Sequence, residues 1–502
     1  MLRAILIVVT FIVYAMQLRN GFVTFDDDIL VFNNPVVHAM TLSNIWFVFT
    51  HFDPELYIPF TFLIYQAEWF IGGGSPLAFH IVSLILHIAN ALLVMELLWF
   101  LTERRVLAFA CAMIFAVHPL NTEAVSWISA QKDLLSSFFF LLSLLTYSHN
   151  HRRISVLTFT LGLLSKVSII SLPLILILID IYRGRVINRR ALIEKIPYVL
   201  VALLFGIIAL FGKHDVITGA GPVTYILIGA KGVTLSLLHF FWPVHLSVLY
   251  PYTKTVVWSS PDLAFPLIAS FALLAIAVIA ARRNKMILLG FGFFLLTLLP
   301  TFSNIVKAGD LYVTSDRYMY LPMIGLLILG AFLFRNSLTK TQIFLLLLVS
   351  CFFAVTAHTQ SLIWENTQTL FEHVLAVSPD SSLAHNKVGS QLFDNGYIDA
   401  AEKEFRTSLT LKENPRAHYN LGLVFLERND FANAVIQNQK AIALEPTYAP
   451  AHVNLGYIFW KQGNLAEAKK HFRIAIENEI NASDARTNLA LIELSESVNA
   501  KP

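Results

Sequence analysis

Long apolar segments recur along this chain from Leu2 to Ala357, and they constrain its fold more than any other feature. Charged residues make up only 14% of the sequence, against about a quarter in an average soluble protein. Apolar runs of roughly 17–25 residues that are bounded by charge are typical of transmembrane helices. The sequence therefore predicts an all-α, polytopic membrane helix bundle, with a transmembrane domain over residues 1–358.

The charges between these runs orient the bundle, because Lys and Arg are enriched on the cytoplasmic side of a membrane. A cytoplasmic N-terminus places the following basic connections on that side: Arg104/Arg105, Arg152/Arg153, 183–195, 282–285 and 335–340. The last two require that the apolar segment Tyr225–Leu249 does not cross fully. Its glycines and Pro243 are typical of a re-entrant or interfacial helix. We therefore predict about eleven crossings plus this one segment.

The sequence changes abruptly near Ser361, where it becomes polar and repetitive. The motifs Ala384-His-Asn-Lys-Val-Gly389, Ala417-His-Tyr-Asn-Leu-Gly422, Ala451-His-Val-Asn-Leu-Gly456 and Ala485-Arg-Thr-Asn-Leu-Ala490 recur at spacings of 33, 34 and 34 residues. This period is typical of tetratricopeptide helix pairs. We predict a tetratricopeptide α-solenoid over residues 359–502, whose concave groove takes a protein or peptide. An odd number of crossings makes this domain extracytoplasmic.

Cysteine and histidine give no metal site or disulfide framework in this sequence. Cys111 and Cys351 both lie inside apolar runs. His385, His418 and His452 occur once per repeat, which indicates helix-face residues rather than metal ligands. The net charge of +3 does not favour nucleic acid as a partner.

Three consecutive carboxylates, Asp26, Asp27 and Asp28, follow the first apolar run. No lysine or arginine occurs between Gly21 and Pro76, so no cation nearby in sequence neutralises their mutual repulsion. One interpretation is a solvated acidic loop end that caps the next helix. The other is a catalytic or cation-binding site at the outer membrane surface.

Basic residues also occur where a membrane penalises them. The orientation above places Lys132, Lys166 and Arg317 each at the outer end of a crossing. A cation at bilayer depth costs roughly 2.5–3.5 kcal/mol on insertion scales, so such residues usually have a partner. That partner is either an anionic lipid headgroup such as a lipid-linked phosphate, or a structural ion pair with Asp133 and Asp316.

An ordered set of short motifs points to one family. They are Phe25-Asp26-Asp27, His118-Pro-Leu with Glu123-Ala-Val-Ser-Trp127, Lys132-Asp133-Leu-Leu, Ser165-Lys166, Trp242-Pro243 with Tyr250-Pro251, and Asp316-Arg-Tyr-Met-Tyr-Leu-Pro322. Together with the repeats, this order resembles the transmembrane and tetratricopeptide-repeat O-mannosyltransferases and their prokaryotic relatives, which belong to the C-type membrane glycosyltransferases. The resemblance covers nearly the whole chain. Tyr57-Ile58-Pro59 departs from the pattern, so no role is transferred to Ile58.

The resemblance implies an inverting glycosyltransferase in the cell membrane that takes a sugar from a polyprenyl-phosphate donor. It implies that Asp26 or Asp27 is the general base, and it leaves Asp28 without a role. The residues that it implies for the donor phosphate are Lys132, Lys166 and Arg317, with Glu123, Asp133, Asp316 and His118 in support. Some relatives use a divalent cation and others do not, so the resemblance leaves a metal at Asp26 and Asp27 open.

Two other functions are consistent with the same residues. A transporter or membrane scaffold would bind a coupling cation at the aspartates and dock a partner on the repeats, although transporters usually bury their charges at mid-membrane. A ligase or polymerase would transfer a larger lipid-linked glycan. The sequence does not identify the sugar, the lipid carrier or the acceptor.

Overall fold

The computed structural model describes residues 1–53, 56–212, 221–307, 310–334, 339–478 and 483–499. Arg335, one of the basic residues used above for orientation, lies outside these ranges. The chain divides into two compact units, Met1–Leu370 and Phe371–Pro502. The sequence places the boundary after residue 358 instead; the structure puts Ser361–Leu370 with the first unit because this segment packs against the first loop.

The first unit consists mainly of α-helices that are joined by short connections. They are α1 Leu2–Tyr14, α2 Leu42–Thr50, α3 Pro59–Gly72, α4 Pro76–Thr102, α5 Arg105–Val117, α6 Thr122–Ser126, α7 Gln131–Ser148, α8 Arg152–Ser165, α9 Leu172–Tyr182, α10 Arg189–Ile193, α11 Ile196–Gly212, α12 Pro222–Phe241, α13 Pro261–Ala281, α14 Lys285–Leu298, α15 Met323–Leu333 and α16 Lys340–Leu362. A further helix, α17 Thr367–Val377, begins in this unit and continues into the second.

Short 3₁₀- and π-helices and one small sheet lie between the long α-helices, near the predicted outer ends. The 3₁₀-helices are Ala15–Arg19, Pro119–Asn121, Ile128–Ala130, Val167–Ser171, Leu299–Asn304 and Asp316–Met319, and Asp28–Phe32 is a π-helix. Strands β1 Val306–Lys307 and β2 Asp310–Leu311 pair antiparallel. The all-α class predicted from the sequence is confirmed; the β-structure in the described ranges is this two-stranded sheet and an isolated bridge between Pro251 and Tyr312.

Eight helical segments in the described part of the chain are long and apolar enough to cross a membrane, and a bent ninth joins α5 to residues 119–126. One of the eight is Pro222–Phe241, which covers most of the segment predicted to be re-entrant. Length and composition alone do not say whether it crosses. The count of about eleven therefore stays a prediction.

The helix α7 lies at the centre of the first unit and packs against α4 and α8. Small residues allow two other helices, α14 and α15, to pack closely, as is common for helices in membranes. At the α14–α15 contact, a Cβ on Gly325 would lie 2.5 Å from the Gly290 carbonyl oxygen. This packing sets the ends of α7 and α15 in fixed positions, and the candidate site forms between them.

The second unit is a series of antiparallel helix pairs. Its helices are α18 Ser382–Asp394, α19 Ile398–Leu411, α20 Pro415–Glu427, α21 Phe431–Leu444, α22 Ala449–Lys461, α23 Leu465–Asn478 and α24 Ser483–Asn499. Each first helix packs on its second helix through the repeated glycine. A Cβ on Gly389 or Gly456 would lie 2.7 or 2.6 Å from the ring of Phe405 or Phe472. The predicted tetratricopeptide arrangement is confirmed.

The repeated histidines join the two helices of each pair. The Nδ1 atom of His385 lies 2.6 Å from a Glu404 oxygen, and that of His452 lies 2.8 Å from Nδ1 of His471. Among the described residues, no group of three or more His, Cys, Asp or Glu side chains is arranged to hold a metal ion.

Candidate active site

Asp27 is the anchor of the first loop. Its carboxylate Oδ1 accepts hydrogen bonds from the Ser129 backbone nitrogen at 2.9 Å and the Ser129 hydroxyl at 2.5 Å. Its Oδ2 accepts one from the Val23 nitrogen at 3.0 Å. The side chain is almost completely buried. Oδ1 therefore holds the loop against the residues that precede α7, and Oδ2 bonds within the loop itself.

Burial raises the pKa of Asp27 from its ordinary value of 3.8 to about 7, because removal from water disfavours the charged form. The hydrogen bonds from Ser129 and Val23 oppose this shift, and the adjacent charge of Asp26 adds to it. Asp27 therefore exchanges its proton near neutral pH, and protonation weakens its capacity to accept these hydrogen bonds.

Asp26 has a different environment from its neighbour. Its side chain is half-buried and makes no hydrogen bond or ion pair with any residue that the structure describes. Asp28 is also half-buried, and its Oδ1 has no hydrogen-bond partner in the described ranges. Three donors bond to the Asp27 carboxylate, which reduces but does not remove its capacity to bind a cation together with Asp26.

Glu123 holds the segment that carries Arg317. Its Oε1 accepts from the Arg317 guanidinium and, at 2.6 Å, from the Ser315 hydroxyl. Its Oε2 accepts from the Arg317 backbone nitrogen at 3.0 Å. Glu123 therefore fixes both the backbone and the side chain of Arg317, whose guanidinium carbon lies 4.6 Å from the centre of the Trp127 ring.

Lys166 and Arg317 share one small cavity with Asp133. Lys166 Nζ lies 2.5 Å from Asp133 Oδ1, and Arg317 Nε lies 4.0 Å from Asp133 Oδ2. Neither Arg317 Nε nor Asp133 Oδ2 has a hydrogen-bond partner among the described residues. The cavity measures about 30 Å³, which is room for about two water molecules. A phosphate group requires these side chains to move apart.

Lys132 is the cation of this group without an acidic partner. Its side chain is only 6% exposed. In the part of the chain that the structure describes, its ammonium makes no hydrogen bond and has no carboxylate oxygen within 4.0 Å. It lies 5.9 Å from the centre of the Trp127 ring, and Asp26 is the strongest attractive charge acting on it. A buried, unpaired cation is costly unless a ligand neutralises it.

Asp316 and His118 bond to residues other than Lys132, Lys166 and Arg317. Asp316 accepts a hydrogen bond from the Tyr250 hydroxyl at 2.9 Å and lies 3.5 Å from His239 Nδ1. His118 uses Nδ1 to accept from the Leu120 nitrogen, and its Nε2 lies 3.0 Å from the Phe240 carbonyl oxygen. Among the described residues, Asp316 therefore makes no ion pair with Lys132, Lys166 or Arg317, which was one alternative above, whereas Asp133 pairs with Lys166.

Sequence analysis missed four residues that shape this site. Ser129 and Ser315 bind the two key carboxylates, and His239 and Tyr250 bind Asp316. Serine carries no sequence signal of such a role, although Ser129 lies two residues after the motif that ends at Trp127, and Tyr250 belongs to a quoted motif without a role assigned to it. Ile58, the departure from the family pattern, is buried in an apolar cluster with Leu30 and Phe62.

Comparison with known proteins finds similarity over both parts of the chain. Models described as TPR repeat and Tetratricopeptide repeat match residues 422–463 and 449–479. The human Protein O-mannosyl-transferase TMTC4 is 24% identical over an alignment of 478 positions, and the match covers 78% of this chain and 64% of that protein. The chain is a relative of the protein O-mannosyl-transferases.

Other protein O-mannosyl-transferases align over similar lengths. F38B6.6 of Caenorhabditis elegans is 25% identical over 81% of this chain and 62% of its own length. TMTC3 of Mus musculus is 22% identical over 87% of this chain and 54% of its own length. This chain therefore spans less than two thirds of the length of these relatives.

Two solved structures each cover about a quarter of this chain. The crystal structure of MamA covers 27% of this chain and 90% of its own, with 21% identity and a TM-score of 0.22. The structure of YrrB, a TPR protein with an unusual peptide-binding site, covers 27% of this chain and 70% of its own, with 20% identity and a TM-score of 0.23.

Proposed function

We propose that this chain is a membrane glycosyltransferase that moves a sugar from a polyprenyl-phosphate donor to an acceptor on the extracytoplasmic side. Mannose is the sugar that the names of the relatives favour, and a protein is the acceptor that they favour. The repeats recruit that acceptor in this proposal. The first loop and the repeats are extracytoplasmic, and the N-terminus is cytoplasmic.

The observation that carries this proposal is a pair of unpartnered opposite charges. Asp26 and Lys132 have no ion-pair or hydrogen-bond partner in the described ranges, yet each acts electrostatically on the other. An anionic leaving group that binds Lys132 supplies its missing counter-charge. Asp26 is then the nearby base that faces the reacting sugar.

The chemistry is a single displacement. The acceptor hydroxyl oxygen bonds to the anomeric carbon of the sugar while the bond from that carbon to the phosphate oxygen breaks. The bonding electron pair leaves with the polyprenyl phosphate, and the hydroxyl proton passes to the Asp26 carboxylate. Lys132, with Lys166 and Arg317, stabilises the negative charge that grows on the phosphate. Inversion at the anomeric carbon follows from the one displacement.

Asp27 serves in this proposal as the anchor that presents Asp26. Donors occupy both of its oxygens, so its carboxylate is less available to take a substrate proton than that of Asp26. Positioning a base within hydrogen-bond reach of the hydroxyl is what makes its proton transfer effective.

A separate apolar cavity supports a lipid-linked donor. It measures about 400 Å³ and lies between α12, α13 and α14, lined by residues such as Phe271 and Leu274. Residues 297–304 separate it from the charged cavity. Leu299 and Phe302 face the apolar side, whereas Thr301 lines the charged side. A polyprenyl tail in the apolar cavity would lie next to a phosphate held by the cations.

Transfer by the full chain in lipid vesicles tests the proposal. The donors are polyprenyl-phosphate sugars, mannose first, and the readout is radiolabel moved to extracytoplasmic polypeptide. Asp26→Asn should reduce kcat by about 10²–10⁴-fold, the usual contribution of a positioned base. The matched control is Asp28→Asn, which should retain activity. Full activity in Asp26→Asn would refute the assignment of the base.

A further inference from the structure

The segment that leads out of the first unit is bonded to the carboxylate loop. The Gly21 backbone nitrogen donates to the Glu365 carbonyl oxygen at 2.9 Å. The Thr24 backbone nitrogen donates to the Thr367 hydroxyl oxygen, also at 2.9 Å. Thr367 is 5% exposed, so water competes little for this bond. The loop is therefore held from the C-terminal side as well as through Asp27.

An aromatic stack extends the same contact to the basic residues. Trp364 is buried and stacks on Trp127 with ring centres 5.6 Å apart. Trp127 in turn packs on Phe25 at 5.1 Å, directly before Asp26. The ring of Trp127 also carries the Arg317 guanidinium on its face. Trp364 therefore packs against Trp127, which itself contacts Phe25 beside Asp26 and the Arg317 guanidinium.

Thr367 is the first residue of α17. This helix runs without a break to Val377, past the division between the units at Leu370. A rotation or shift of α17 therefore moves the hydroxyl that holds Thr24. No other element in the described ranges begins at a contact with the carboxylate loop and ends in the repeat unit.

We infer that Thr367 is a positioning residue for Asp26. This inference rests on the proposed function, because Asp26 is the base only there. Its physical basis is that the Thr24 amide lies two residues before Asp26 on a backbone that Thr367 restrains. Misplacement of a catalytic group by about 1 Å costs up to 10²-fold in rate.

Three full-chain variants in lipid vesicles test the inference. Thr367→Val keeps the shape of the side chain and removes its hydroxyl, whereas Thr367→Ser keeps the hydroxyl. The matched control is Thr359→Val, whose hydroxyl donates to the Thr356 carbonyl oxygen within α16. The readouts are hydrogen exchange of the Thr24 amide, and kcat and donor KM with polyprenyl-phosphate mannose.

We expect Thr367→Val to speed exchange of the Thr24 amide about tenfold, as expected for the net loss of one hydrogen bond. Its kcat should fall about tenfold while its donor KM changes by less than about twofold. Thr367→Ser and Thr359→Val should match the natural protein in both. Unchanged exchange in Thr367→Val overturns the inference, and so does faster exchange with unchanged kcat.

Two further outcomes are also decisive. Equal loss in Thr367→Ser and Thr367→Val shows that packing, not the hydroxyl, matters there, and this overturns the inference. If the natural protein transfers no sugar from any polyprenyl-phosphate donor, the proposed function fails, and the role of Thr367 in catalysis fails with it. The exchange measurement then still reports whether Thr367 holds the loop, so the two failures are distinguishable.

Discussion

The two ends of α7 bury charge in different ways. Fourteen residues separate Asp133 near its start from Tyr147 near its end, a distance of roughly 21 Å along a helix. At the Tyr147 end, Asp180 accepts from the Tyr147 hydroxyl at 2.9 Å and pairs with Lys195, which is 3% exposed. Arg185 bridges Asp180 and Glu194 at 3.3 and 2.5 Å. Every charge of this inner cluster therefore has a direct counter-charge.

The Asp133 end, here called the outer cluster, is built from Lys132, Asp133, Lys166, Arg317 and Glu123. It leaves Lys132 without a carboxylate partner in the described ranges. Buried atoms without a hydrogen bond in those ranges occur in both clusters, at Asp133 Oδ2 and Arg317 Nε here and at the two Glu194 oxygens in the inner cluster. Buried groups that remain unpaired cost stability. We infer from the unpaired Lys132 that the outer cluster binds a ligand, whereas the inner cluster joins helices.

The largest expected effect concerns the side of the membrane on which each cluster lies, because a cysteine is either labelled from a given side or not. Cysteines should be introduced at Asn33 in the first loop, Val186 beside the inner cluster and Lys403 in the repeats, in a Cys351→Ser background. A membrane-impermeant maleimide should label positions 33 and 403 from outside and position 186 from the cytoplasm. Cys111 is buried and should stay unlabelled.

Labelling of positions 33 and 186 from the same side would contradict the prediction that the two clusters lie on opposite sides of the membrane. Labelling of positions 33 and 403 from opposite sides would refute the odd number of crossings. Either result also removes the repeats or the carboxylate loop from the side where the proposal needs them.

Removal of a paired cation gives the next largest effect. Lys195→Met leaves the Asp180 charge buried without its closest partner, so it should lower stability by about 3–5 kcal/mol. Thermal unfolding in detergent measures this as a lower midpoint. Arg190→Met, at an exposed position beside Glu194, is the matched control and should change little. A midpoint unchanged by Lys195→Met would mean that the inner cluster does not stabilise the bundle.

Removal of the unpaired cation should have the opposite pattern. Lys132→Met eliminates a buried charge that lacks a counter-charge, so the melting midpoint should stay the same or rise. Donor use should fall by about 1.5–3 kcal/mol in kcat/KM, roughly 10–150-fold, because a charge-assisted contact to phosphate is lost. Lys254→Met, 72% exposed at its side chain, is the control. A large loss of stability in Lys132→Met would contradict the distinction between the clusters.

The pH dependence of Asp27 gives the smallest effect. Its folded pKa is raised to about 7 by burial, above its ordinary value of 3.8, so the folded state binds the proton more tightly than the unfolded state. This contribution to stability is full below about pH 4 and is lost as the pH rises through about 7. The melting midpoint of the natural protein minus that of Asp27→Asn should therefore fall between those values. A difference that rises with pH would show that Asp27 is stabilised as a carboxylate.

Much of this architecture could be predicted from local sequence. Apolar runs bounded by charge predict helices because a backbone in lipid must satisfy its own hydrogen bonds. The 33- and 34-residue spacing predicts the helix pairs, and Gly389 packs on Phe405 as that register requires. These features depend on neighbours within one or two helical turns or on an exact repeat. The sequence by itself determined the all-α class and the tetratricopeptide unit.

Which charges are paired can be seen only in the tertiary structure. Asp27 bonds to Ser129 across 102 residues, and Arg317 bonds to Glu123 across 194. No periodicity records such a choice, because it depends on how distant helix ends meet when the bundle packs. The same packing pairs Lys166 with Asp133 and gives Lys132 no acidic partner among the described residues, although all three cations lie at predicted outer ends. The order of residues sets which charges are present, and the packing of the bundle sets which of them are paired.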